Sequence, residues 1–198
     1  MPRVAYVEKE AASPEVQKLY DGFETQFGVR GVPNVAKALA NSPGLATKVF
    51  PLANYFMNQS SLDKRVRELA VLMLMKRCDC EYGFVRHIDI AKRQGISQEQ
   101  IDDIGSYWTS KQFSDNDKLI LQYAEELTSK ARVDDELFNK VAAIVGKDRM
   151  VDLTGAIAFW NMMARNLNAL QVGLNPEVSP SGEAAKLRAV QPLLLATS

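Results

Sequence analysis

The sequence predicts an all-α fold, and three observations carry that reading. Apolar residues recur at three- and four-residue spacing along nearly the whole chain. No stretch alternates with period two for long enough to make a sheet strand. Residues 69–75 are an unbroken apolar run, which marks a helix wrapped on all sides at the centre of the molecule.

The elements follow in order. Ser13-Pro14 is a helix start with proline in the first turn, and Leu19, Phe23 and Phe27 continue it at four-residue spacing until the break at 28–33. A short helix over 35–40 ends at Asn41-Ser42-Pro43. The next covers 44–57, with Val49, Leu52 and Phe56 as its apolar stripe and Pro51 as a kink or a late start. The central helix occupies 63–77, and Asp79 reads as the N-cap of another over 80–94. Ser97 with Gln100 forms a capping box for a short helix over Ile101 and Ile104. Ser114 with Asp117 opens the helix that carries Leu121, Ala124 and Leu127. Asp134 begins one through Leu137, Val141 and Ile144, stopped by Gly146. The longest helix, 148–172, ends at Gly173. Residues 1–175 thus read as one helical domain, and 176–198, rich in Pro, Ser and Gly, as an extended tail whose Leu193, Leu194 and Leu195 either dock on a neighbour or fray.

Composition narrows the function classes. The chain has 198 residues, 46% hydrophobic and 24% charged, an ordinary globular balance for one domain. Lys plus Arg and Asp plus Glu number 24 each, which argues against nucleic acid as the main partner. No apolar run approaches the ~20 residues of a membrane span, and the first residues lack the layout of a secretory signal. Cys78 and Cys80 are too few for a disulfide framework, so a cytoplasmic location is expected. His87 is the single histidine, which excludes a multi-histidine metal site within one chain; no metal or cofactor is expected.

The chemistry gathers in 65–97. Glu68 precedes the apolar run and shares a face with Leu72 and Met75. It is either a buried acid or a helix-end glutamate paired with Lys64 or Arg65. Cys80 falls at the first position of its helix, where the dipole and free N–H groups would favour a thiolate; the alternative is a small buried thiol without chemistry. Cys78 lies in the turn and is the weaker candidate. If the two helices turn back at Asp79, Glu68 lies eleven residues before the turn and His87 eight after it. At ~1.5 Å per residue these are roughly 16 and 12 Å, nearly the same level of an antiparallel pair. A carboxylate beside an imidazole in apolar surroundings is acid–base equipment, although a core histidine satisfied by a neighbour has the same pattern.

Glu68, eleven residues, Cys80, and then His87 seven positions on resemble the E-x11-C-x-x-C-x-x-x-H signature of the alkylhydroperoxidase D-like and carboxymuconolactone decarboxylase superfamily. The flanking PNVAKALANSPGL and FWNMMARNLNALQVGL segments are similar to helices of longer members, so the resemblance covers roughly 33–174. One position departs: Gly83 stands where the second cysteine would, so Cys80 lacks the partner of a C-x-x-C dithiol. CEYGFVRH instead resembles the branch with an E-Y-x-x-x-x-H pattern.

The resemblance implies a helical bundle assembled as a dimer, trimer or hexamer, and cofactor-free proton transfer on a small organic acid or lactone. On that reading Glu68, Cys80 and His87 are the catalytic candidates, with His87 moving the proton and Glu68 orienting it. Tyr82, Asn161 and Arg165 are candidate substrate-binding donors, the last two sharing a face of the closing helix. Apolar residues on several sides of 148–172, namely Ile157, Phe159, Trp160, Met162, Met163 and Leu167, add to the expectation of a homo-oligomer. Two other readings are a one-cysteine thiol peroxidase acting through Cys80 and a non-catalytic oligomeric ligand binder.

Overall fold

The computed structural model describes residues 1–27 and 31–175, and among these every regular element is a helix. The order is α1 Pro14–Phe27, α2 Asn34–Leu39, α3 Pro43–Asn54, α4 Lys64–Arg77, α5 Glu81–Arg93, α6 Gln98–Asp102, α7 Asp115–Lys130, α8 Asp135–Val145 and α9 Met150–Leu170. The tail expected over 176–198, with Leu193, Leu194 and Leu195, lies outside the described residues, as does part of the break at 28–33.

Helix α4 is the axis of the bundle and packs against α5, α7 and α9. Each residue from Leu69 to Met75 is at most 1% exposed. Burying an aliphatic side chain of this kind stabilises the fold by ~1.5–3 kcal/mol, so this one run anchors the main core. A second core joins α1, α3, the turn after α3 and α9 through Val16, Tyr20, Phe23, Phe50, Phe56, Phe159 and Met163. Trp160 packs against both.

Local chemistry sets the helix boundaries. Asp63 accepts from the N–H groups of Arg65 and Val66 and so starts α4. Both expected capping boxes form, Ser97 with Gln100 and Ser114 with Asp117, and Asp134 caps α8 through the N–H of Leu137. Pro51 lies inside α3, and a π-helical turn, Tyr55–Gln59, follows.

Two boundaries differ from the sequence reading for one physical reason. Asp79 does not cap α5; it ends α4. The N–H of Asp79 donates to the carbonyl of Lys76 at 3.2 Å and that of Cys80 to the carbonyl of Met75 at 2.9 Å, with Asp79 at φ +49°. This is a Schellman closure with Asp79 in the left-handed position, so Cys80 becomes the N-cap residue and α5 begins at Glu81. Helix α9 closes in the same way at Gln171, φ +52°, with Val172 donating to Leu167, two residues before the glycine expected to stop it.

The apolar faces of α9 are largely covered by the chain itself. Ile157, Phe159, Met163 and Leu167 are buried and Trp160 is half-buried, whereas Met162 is 37% exposed. The breadth of apolar surface on this helix therefore serves two cores within one chain, which removes that part of the argument for an oligomer. Among the described residues no helix is long and apolar enough to cross a membrane.

Candidate active site at the seam of the two cores

Helices α4 and α5 turn back on each other at Cys78–Asp79, and the levels read from the sequence meet. His87 Nδ1 lies 2.7 Å from Glu68 Oε2, with Glu68 fully buried and His87 4% exposed. Glu68 has a second partner that sequence reasoning missed. Arg67 Nε donates to Glu68 Oε1 at 2.8 Å and Arg67 Nη2 lies 2.8 Å from the same oxygen. Arg67 Nη1 donates to the carbonyls of Phe56 at 3.0 Å and Met57 at 2.8 Å, tying the π turn to α4. Arg65, one of the two partners that the helix-end reading offers Glu68, instead pairs with Asp117.

Burial pushes the Glu68 carboxyl upward, but the charge and hydrogen bonds of His87 and Arg67 outweigh it and hold the group below the usual carboxylate range. An ionised carboxylate can only accept hydrogen bonds. His87 Nδ1 must therefore carry the proton in this pair, and in the neutral ring the lone pair sits on Nε2. The Trp160 ring meets the imidazole edge-on, centroids 4.8 Å apart at 80°, and holds its orientation from the other side.

His87 forms part of the wall of a cavity of about 120 Å³ between the two cores. The remainder is mostly apolar: Phe23, Val49, Phe50, Met75, Phe159 and Trp160 among others, with Tyr82 and Arg86 as the other polar-tipped members. The large aromatic rings in this wall are Phe23, Phe50, Phe159 and Trp160, with Tyr82; Phe56 and Phe84 are buried elsewhere and Trp108 is 62% exposed. A larger open cleft of about 750 Å³ lies over the α4–α5 turn, lined by Cys78, Asp79, Glu81, Tyr82 and the end of α9. It lacks both members of the acid–base pair, so chemistry favours the smaller space.

The other candidates fall in different places. Tyr82 lines the cavity, but its hydroxyl accepts from the N–H of Val35 at 3.2 Å and donates to Asn175 Oδ1 at 3.5 Å. Burial raises this phenol to about 12. Asn161 and Arg165 share a face, as expected, but not the face toward His87. Asn161 Nδ2 donates to Thr128 Oγ1 at 2.9 Å, Arg165 Nη1 donates to Asn161 Oδ1 at 2.7 Å, and the Cys78 thiol lies 3.5 Å from the same oxygen. They are polar links around Cys78, not cavity donors.

Cys80 also sits in surroundings unlike those expected of a helix-start thiolate. It is 2% exposed and is absent from the cavity wall. Burial pushes its thiol up to about 11, the reverse of the depression that a helix start would give. At Gly83, an added Cβ would collide with the Met75 thioether sulfur, so Met75 occupies the space a second cysteine would need. Among the described residues no three His, Cys, Asp or Glu side chains converge to hold a metal ion.

Comparison with known proteins agrees with this architecture. Residues 43–126 match the model of the carboxymuconolactone decarboxylase family. The uncharacterized protein YnjA of Escherichia coli K12 is 29% identical over 131 residues, covering 63% of this chain and 71% of YnjA. The uncharacterized protein YdfG of Bacillus subtilis 168 is 25% identical over 114 residues, covering 55% of this chain and 78% of its own. Among solved structures, the alkylhydroperoxidase D core of a peroxidase-related protein from Ralstonia eutropha JMP134 superposes with a TM-score of 0.76 at 20% identity, over 89% of this chain and 94% of that one. The debrominase Bmp8, as a cysteine-to-alanine variant in complex with 2,3,4-tribromopyrrole, gives 0.74 at 16% identity over 94% and 96%. A helical bundle built on a central antiparallel pair is the alkylhydroperoxidase D-like fold. Over residues 43–126 the chain is similar to the carboxymuconolactone decarboxylase family, and its fold is that of the alkylhydroperoxidase D core.

Proposed function

We propose that the protein is a cofactor-free acid–base enzyme acting on a small organic acid or lactone, as the decarboxylase-like members of the family it resembles would. The observation that carries this reading is the buried Glu68–His87 pair, 2.7 Å apart, on the wall of an apolar cavity. His87 Nε2 is the base. A proton leaving the carbon next to the substrate carbonyl goes to Nε2, while the C–H electron pair moves into the enolate. In the decarboxylation variant the C–C bond to the carboxylate breaks, its electron pair moves into the enolate, carbon dioxide leaves, and a His87 imidazolium protonated from solvent gives its Nε2 proton to that carbon. In both, Glu68 stabilises the imidazolium, and Arg67 keeps Glu68 ionised and fixed. Neither Glu68 nor Arg67 needs to touch substrate; both act through His87.

The thiol peroxidase alternative fares worse on this geometry. It requires a thiolate with access to peroxide, whereas the Cys80 thiol is buried and raised to about 11. It also lacks a resolving cysteine at 83, where Met75 fills the space. A non-catalytic ligand binder would use the same cavity and would show binding without turnover.

The test is a panel of small β-keto acids and unsaturated lactones followed by NMR in deuterated solvent, which reads both deuterium uptake at carbon and loss of carbon dioxide. Turnover that falls at least ~100-fold in His87→Ala and Glu68→Gln but survives in Cys80→Ser supports the proposal. Hydroperoxide reduction abolished by Cys80→Ser, with no exchange chemistry in the panel, would replace it with the peroxidase reading.

A further inference from the structure

The cavity holds a cation that the acid–base mechanism leaves unused. Arg86 is half-buried on α5, next to His87 in sequence, and forms part of the same wall. Other arginines of α4 are engaged: half-buried Arg65 with Asp117, buried Arg67 with Glu68, and exposed Arg77 with Glu125. Among the described residues Arg86 makes neither an ion pair nor a hydrogen bond; the interaction it has is electrostatic, with the Tyr82 phenol one helical turn away. The carboxylate nearest in function, Glu68, is already divided between Arg67 and His87. A guanidinium partly withdrawn from water without a counter-charge is costly, and it is relieved by a ligand that brings one.

We propose that Arg86 anchors the substrate's carboxylate, and that the substrate class is a compact apolar monocarboxylic acid. The planar guanidinium fork suits a carboxylate, which it can bind through two parallel N–H donors. The size of the body follows from the volume. About 120 Å³ is close to the ~150 Å³ of an apolar protein cavity that takes up benzene, so a single ring or a short branched chain fills it. The number of carboxylates follows from the lining. With Arg86 committed to one, the remaining described lining offers a second no cation except the protonated His87, which the mechanism needs for proton transfer. A dicarboxylate would leave one charge buried against Phe50, Phe159 and Trp160. Arg86 and His87 are consecutive, so a carboxylate held at the first brings the neighbouring carbon toward the second.

This inference rests on the acid–base reading of the cavity, yet the two fail separately because it is read by binding and not by turnover. The experiment is isothermal titration calorimetry of the full chain at pH 7 with benzoate and with benzamide, its neutral counterpart of nearly equal shape. The wild-type protein should bind benzoate about tenfold more tightly, the ~1.4 kcal/mol expected at the low end for a hydrogen bond to a charged group. Arg86→Gln should lose that preference while binding benzamide as before, which also certifies that the cavity is intact. Arg86→Lys should keep part of the preference, and His87→Gln should keep nearly all of it. Equal affinities in the wild type, no heat from either compound up to millimolar concentration, or a preference that survives Arg86→Gln would each overturn the proposal. A benzoate preference carried by Arg86 in a protein whose turnover ignores His87→Ala would sink the acid–base reading and leave the anchor standing.

Discussion

Replacing Arg67 by methionine removes one partner from Glu68, the most buried charge among the described residues. Arg67 is 3% exposed and Glu68 is fully buried, so neither can turn to water when the other is lost. Arg67→Met deletes two contacts of 2.8 Å to Glu68 Oε1 and leaves the carbonyls of Phe56 and Met57 without that donor. Breaking a buried pair from one side costs ~3–5 kcal/mol, because the survivor keeps its desolvation penalty. For a chain of this length that is a fall in Tm of about 6–20 °C.

The pH dependence has a definite sign. Glu68 is held below its ordinary range in the fold, so its ionised form contributes stability that is fully present above its unfolded value of about 4.3 and is lost as pH falls through the native value. In Arg67→Met, burial is opposed by His87 alone, the native value rises, and the loss begins at higher pH. Urea unfolding of the wild type and the variant between acid and neutral pH measures both effects. Adding Glu68→Gln to Arg67→Met should recover ~1 kcal/mol or more, since no carboxylate then remains to be paired. A variant within ~1 kcal/mol of wild type at neutral pH, or one whose acid transition does not move, would refute this account of the buried trio.

Other outcomes follow from the same geometry. Gly83→Ala should cost ~1–3 kcal/mol because the new Cβ collides with the Met75 sulfur, and less in a Met75→Ala background; additive costs in urea unfolding would show that the space is not shared. In the native protein at pH 7 iodoacetamide should label Cys80 far more slowly than unfolded cysteine, because a thiol raised to about 11 is only about one part in ten thousand thiolate; rapid labelling at Cys80 read by peptide mass would contradict its burial. Asp79→Gly should stabilise by up to ~1 kcal/mol, since glycine takes φ +49° without strain, and a loss of stability would mean that the Asp79 side chain has a role of its own.

The sequence made the Glu68–His87 meeting legible because two helices joined by a short turn have only one way to pack, and distance along each helix is arithmetic. Caps at Asp63, Ser97, Ser114 and Asp134 were legible for a similar reason, since each depends on a side chain and a backbone N–H a few residues apart. Cys80 was not. Its environment turned on whether Asp79 ends one helix or begins the next, and an aspartate suits both the N-cap and the left-handed position. Asn161 and Arg165 were placed on a common face correctly, but α9 is apolar on so many sides that periodicity could not say which face turns to His87. Arg67 escaped because adjacent helical residues do not normally face each other, yet its long side chain curls back to reach Glu68. The available signal was two consecutive charges, Arg67 and Glu68, directly ahead of seven apolar residues on a helix with no polar face.

In the proposed mechanism Glu68 fixes the His87 ring with Nδ1 protonated and leaves Nε2 free to act as the base in the cavity. The chain has one histidine, so its imidazole nitrogens can be assigned without ambiguity in a 15N-labelled sample. Long-range 1H–15N correlation spectra of the neutral ring should show the Nδ1–H tautomer in the wild type and a shift toward the Nε2–H form in Glu68→Gln, where the carboxylate that demands the proton is gone. A neutral wild-type ring protonated at Nε2, or one whose tautomer ignores Glu68→Gln, would contradict the claim.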